Sequence, residues 1–207
     1  MLSRIKIHTG LLILIIFIIS CKNSTVKSKS PAVDNNNSIS KKDFPVWVEA
    51  KDNGLSNSKS INDFNYEIQY KPIEYILAIK GNDSLKATDY EGLHYIDLKL
   101  SNNGNPDYLK TNLSNREDYY LRLKYFSFEI QNDLKLIDGK DTLNCVFSHF
   151  ERTYGITPYI KIVTAFEKNT DSSNDLFFSY HDQLFDNGII IIPITKAAIN
   201  NIPKIKI

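Results

Sequence analysis

Residues 64–70 read Phe64-Asn65-Tyr66-Glu67-Ile68-Gln69-Tyr70, and their alternation decides the fold class. Every second residue is large and apolar, with Asn, Glu and Gln between. That period of two lets a strand bury one face and wet the other. The pattern recurs downstream, where His94, Ile96, Leu98 and Leu100 interleave with Tyr95, Asp97 and Lys99. Residues 134–137 and 142–147 flank Asp138-Gly139, a pair suited to the tight turn of a hairpin. Residues 121–130, 159–166, 176–180, 189–194 and 202–207 are rich in β-branched and aromatic side chains and are expected as strands. Pro193 and Pro203 suggest edges or bulges at strand ends.

Helix signals are few. Pro72 opens and Gly81 closes residues 73–80, which favours a short helix. Asn105-Pro106 can cap another through Leu109 and Leu113. The long helices that a parallel sheet requires are missing. The expected fold is therefore all-β over residues 62–207: an antiparallel β-sandwich, Ig-like or related, of about eight or nine strands with two or three short helices.

Composition agrees. The chain has 207 residues, 42% of them hydrophobic and 24% charged, with 12 Tyr and 11 Phe, so disorder throughout is excluded. A formal net charge of +1 gives no electrostatic reason for binding nucleic acid. Two cysteines cannot make a disulfide scaffold or a Cys-rich zinc site.

Residues 1–20 carry Arg4 and Lys6, then the apolar run 11–19, then Ser20 before Cys21. A basic start, a short apolar stretch and a small residue define an export signal. The run is about half the ~20 residues a spanning helix needs. Ile18-Ile19-Ser20-Cys21 resembles the lipobox of bacterial lipoproteins. That resemblance implies cleavage before Cys21, a diacylglycerol on its thiol and an acylated amino terminus, with membrane affinity of about 0.8 kcal/mol per buried methylene. Lys22 in place of Asp implies the outer membrane. The first acid, Asp34, comes late, which implies a periplasm-facing position rather than surface export, with the leaflet face left open. Residues 22–43 are polar and read as a flexible tether from the lipidated Cys21. Residues 44–48, Phe44-Pro45-Val46-Trp47-Val48, interrupt it as a first strand, an edge flap or a docking peptide that uses Trp47. Residues 51–62 read as linker, so tether and segment together occupy 21–61.

Chemistry-bearing residues are sparse. His149 and Glu151 would share one face of a strand, and with His181 and Asp182 could in principle supply a two-His, carboxylate zinc site. The spacing does not demand it, so no metal, catalytic residue or cofactor is assigned. His94 reads as a core histidine, and Cys145, between Leu143 and Phe147 on one strand face, as a small buried hydrophobe. The stretch His149–Pro158 is the most distinctive in the chain, because arginine is scarce and Arg152 stands beside Glu151, Tyr154 and a Gly/Pro turn. Arg152 is expected to pair with a carboxylate and Tyr154 to pack, with an interaction role for both as the sharper alternative. Asp83-Ser84-Leu85 and Asp141-Thr142-Leu143 resemble O-glycosylation sites of exported proteins, at Ser84 and Thr142. The expected function is that of a non-enzymatic lipoprotein, an interaction module for another envelope protein. A glycan- or peptide-binding lipoprotein and a periplasmic toxin-neutralising one are the alternatives.

Overall fold

A computed structural model describes residues 30–80, 90–169 and 174–206. The export signal, Cys21 and Ser84 lie outside the described residues. Eight strands form one sheet: β2 (Ser56–Ile61), β3 (Phe64–Lys71), β4 (Leu93–Asn102), β5 (Leu134–Asp138), β6 (Asp141–Glu151), β7 (Tyr159–Glu167), β8 (Leu176–Asp182) and β9 (Gly188–Ile194). Their order is β2-β3-β4-β7-β6-β5-β8-β9, with every neighbouring pair antiparallel. Strand β8 returns beside β5 after the β5-β6-β7 meander, a Greek key. The outermost strands β2 and β9 approach each other. Asn187 bridges this seam, accepting from Asn62 at 3.4 Å and donating to the Tyr66 hydroxyl at 2.8 Å. The fold is all-β as expected, one eight-stranded antiparallel sheet with a few short helices.

The alternation read in the sequence sets what points inward. Tyr66, Ile68, Ile96, Leu98, Leu100 and Ile162 are completely buried. The Asp138-Gly139 signal forms the β5–β6 hairpin, with Asp138 opposite Asp141 and Gly139 at φ +61°. Helix α2 (Ile73–Lys80) follows Pro72 as the sequence predicts.

The two ends of the sheet differ. At the lower end, near Tyr70 and His94, helices α1 (Phe44–Glu49) and α4 (Lys196–Asn200) cover the strands. Gln69 donates to the Val48 carbonyl at 2.9 Å, and a Cβ on Gly54 would lie 3.0 Å from the Ala198 Cβ. The two-residue strands β1 (Ser38–Ile39) and β10 (Lys204–Ile205) pair in parallel beside them. At the upper end an aromatic cap forms around Tyr108, whose ring lies 6.0 Å from Phe64, 6.0 Å from Phe126 and 5.2 Å from Phe185.

Four expectations are corrected. Residues 44–48 are neither strand nor flap but most of helix α1, because Phe44, Trp47 and Val48 recur at helical spacing and all three are buried. The polar stretch 51–62 is not linker throughout, since it contains β2, an edge strand whose Ser, Asn and Lys side chains suit a position with one free edge. The folded body thus takes in much of the segment read as tether.

Residues 121–130 are not a strand. Helix α3 (Arg116–Lys124) begins at a capping box: Asn115 accepts from the Asp118 amide at 3.0 Å, and Asp118 accepts from the Asn115 amide at 3.3 Å. The helix runs into a wider turn over Tyr125–Glu129 and a tighter one over Ile130–Asp133. Finally, a bulge between Cys145 and Phe147 inserts Val146, so Leu143 and Cys145 face inward while Phe147 turns outward at 51% exposure.

Candidate functional site

The bulge decides where the distinctive stretch points. Beyond it Phe150 faces the core, so His149 and Glu151 share the outer face of β6, the same-side placement expected for them. Glu151 pairs with Lys161 at 3.1 Å, and Lys161 reaches Asp97 at 3.2 Å. Asp97 is buried beside Lys71 and Lys161, and burial outweighs both cations to raise its carboxyl above the ordinary value. In register across β3, β4, β7 and β6 stand Glu67, Lys99, Lys161 and Glu151, two lysines flanked by a carboxylate at each end.

The four residues weighed as metal ligands are not brought together. His149 is on β6 and His181 on β8 with β5 between, which separates their backbones by about 10 Å from strand spacing alone. Asp182 faces inward, fully buried, where it accepts from the Tyr66 hydroxyl at 2.5 Å and the Phe185 amide at 3.2 Å. Among the described residues no group of three His, Cys, Asp or Glu side chains is placed to hold a metal ion. Cys145 is buried and its thiol is pushed up to about 11 by burial. His94 is buried too, with Nδ1 3.2 Å from the Tyr70 hydroxyl. Burial, then the charge of Lys168, pulls its pKa down to about 4. Trp47 is 6% exposed and so is not available for docking. Thr142 is exposed at the start of β6.

The stretch that follows β6 builds a cleft at the upper end. Thr153 to Ile156 form a tight turn closed by the Ile156 amide on the Thr153 carbonyl at 3.0 Å, with Tyr154 at φ +52° and Gly155 at φ +77°. Two left-handed residues in succession define the mirror-image type I turn. Gly155 adopts this freely, whereas a tyrosine there costs about 1 kcal/mol. The turn holds Tyr154 at 79% and Ile156 at 86% exposure. Thr157 anchors its far side by donating to the Tyr159 carbonyl at 2.7 Å.

The opposite wall is the turn Asp107–Lys110, and Tyr119 of α3 closes one side. A Cβ on Gly155 would lie 3.8 Å from Asp107 Oδ2, so loop and turn nearly touch. Arg122 fixes that wall, donating to the carbonyls of Leu109 at 3.0 Å, Asn112 at 3.4 Å and Thr111. Phe150 and Ile160 are the apolar residues lining the cleft from the sheet, and the enclosed volume is about 120 Å³. The Arg152 guanidinium lies over the Tyr154 ring at 4.9 Å and pairs with no carboxylate among the described residues, contrary to the ion pair expected of it. Of this cleft the sequence pointed to Arg152 and Tyr154. It gave no sign of Asp107, Lys110, Tyr119 or Tyr159, which reach the site through topology.

A second, shallower depression of about 570 Å³ opens at the lower end, between Tyr70, Pro72, Tyr90, Lys168, Ile199 and Pro203 among others. Comparison with known proteins gives no match: no family model fits the chain, and no curated protein or solved structure is detectably similar to it.

Proposed function

We propose that this protein is a membrane-anchored, non-enzymatic binding module that presents the loop 152–158 to another envelope protein. The observation that carries the reading is the loop itself. A tyrosine is held in a left-handed turn at some cost, beside an isoleucine, and both project into solvent at the rim of a cleft. Strain of this kind gathers at recognition sites, where the conformation serves the contact rather than the fold. Exposed aromatic and aliphatic anchors beside an arginine have the composition of an interface centre.

The position of the loop supports the same reading. Ser30, the first described residue, bonds through its amide to Asp52 at 3.3 Å. Asp52 leads into β2, whose first residue pairs with Gln69 at the lower end. The loop lies at the upper end, between Glu151 and Tyr159. A lipid on Cys21 would therefore hold the lower end towards the bilayer and turn the cleft away from it. Residues 21–29 reach at most about 30 Å when fully extended, so the body stays close to the membrane surface. Lipidation, an outer-membrane location and a periplasm-facing orientation belong to this proposal. So does a sheet closer to a closed barrel than to an Ig-like sandwich, for which the bridged seam between β2 and β9 speaks.

The test places a photo-crosslinking amino acid at position 156, or at Lys59, an exposed residue of the edge strand β2, in protein expressed in its native membranes. One discrete adduct from position 156 and none from 59 is the expected result. Adducts from neither, or equally from both, would overturn the proposal. A second reading, binding of a glycan or a peptide, rests on the lower depression with its Tyr70 and Tyr90, whose volume falls in the usual range for small-ligand sites. Titration with oligosaccharides, monitored at these tyrosines, tests that reading.

A further inference from the structure

Among the described residues Arg152 has no anionic partner, although Glu151 is its chain neighbour and Asp107 stands across the same cleft. Its neighbour Glu151 is held by Lys161 at 3.1 Å, and Asp107 across the cleft by Lys110 at 2.9 Å. The other two arginines in the described residues are engaged. Arg122 spends its donors on backbone carbonyls, and Arg116 donates to the Tyr120 hydroxyl at 3.2 Å. Among the described residues, Arg152 makes no ion pair or hydrogen bond and lies over the Tyr154 ring. A guanidinium over a ring makes that contact with its face, which leaves the in-plane N–H donors for a second partner.

The size of the cleft limits what that partner is. About 120 Å³ corresponds to roughly four water molecules, well below the ~300 Å³ at which sites for whole small molecules begin. It accommodates one side chain of a larger partner. The lining of the cleft is mixed: Leu109, Tyr119, Phe150 and Ile160 supply apolar and aromatic surface beside the polar Thr153 and Thr157 and the paired Asp107 and Lys110, with Arg152 at the rim.

We infer that the cleft reads an acidic side chain, Asp or Glu, standing next to an apolar residue in a segment of the partner protein. The apolar side chain enters the cleft and the carboxylate receives the Arg152 fork. This rests on the docking role proposed for the same loop. The local acids being already paired, the site presents an uncompensated positive charge to an incoming carboxylate.

The test titrates the protein as recovered from its native membranes, ¹⁵N-labelled and in detergent micelles, with N-acetyl-Leu-Glu-Leu-amide and with its Gln counterpart. A charge-assisted hydrogen bond predicts that the Glu peptide binds about tenfold more tightly or better, with shifts centred on the amides of 152–156. Arg152→Gln should erase the preference and Arg152→Lys retain part of it. Because Arg152 is exposed, neither substitution threatens folding. Equal binding of the two peptides, binding of neither, or a Glu preference that survives Arg152→Gln would overturn the inference. The docking role fails on a different result, the absence of adducts from position 156.

Discussion

Acidification should destabilise this protein through one histidine. His94 is 3% exposed, and its pKa is pulled down to about 4 by burial and by Lys168. In the unfolded chain the ordinary value is 6.5. Below pH 6.5 the unfolded state takes up a proton that the folded state refuses, so stability falls as pH falls and levels off once the folded state also protonates near pH 4. The gap of about 2.5 pKa units corresponds to roughly 3 kcal/mol in total, of which about 2 kcal/mol is already lost at pH 5. Urea unfolding at pH 7, 6 and 5, followed by the fluorescence of the single buried tryptophan, measures it. The control is His94→Gln, which lacks the titrating group, so other acid-sensitive groups cancel in the difference. Wild-type stability should fall relative to the variant by about 2 kcal/mol between pH 7 and pH 5. Parallel curves for the two proteins, or an NMR titration of His94 centred near its ordinary value, would refute the reasoning.

Further outcomes follow from single side chains. Trp47→Ala should cost about 3–5 kcal/mol, because the indole sits in the core rather than in a tether; a tryptophan emission maximum typical of water in the native protein would contradict that placement. Tyr154→Asn should leave stability unchanged or raise it by up to about 1 kcal/mol, since asparagine tolerates the left-handed backbone, and a clear drop in melting temperature would show that Tyr154 supports the fold. Cys145 should react with a thiol reagent at pH 8 only as fast as the protein unfolds, given its burial and raised pKa. Rapid labelling of the native protein would place it at the surface.

The sheet was legible wherever an alternating strand has one face in the core, as at 64–70 and 93–102, and wherever a turn needs a particular residue, as at Gly139. It was not legible in β2, because an edge strand of Ser, Asn and Lys carries no alternation to read. Helix α3 was hidden behind Tyr, Leu and Phe, whose β preference depends on packing, yet its capping pair Asn115 and Asp118 stood in the sequence. Helix α1 likewise showed its 44, 47, 48 spacing, which too short a window disguised as a strand. The bulge at Val146 left no local sign, and it reverses every face that follows. Of the cleft, Arg152 and Tyr154 stood out by scarcity and by the adjacent glycine. The wall opposite, at 107–110, is more than forty residues distant in sequence and reaches the loop only because β4 pairs with β7.

The central claim is that the upper loop, and not the body of the sheet, holds the partner. Quantitative recovery of proteins from native membranes, with wild type, with the double variant Tyr154→Ala and Ile156→Ala, and with Lys59→Ala, tests it most directly. The account predicts one stoichiometric companion that is retained by Lys59→Ala and lost from the double variant while the melting temperatures of all three stay together. Equal recovery of that companion by the double variant would contradict it.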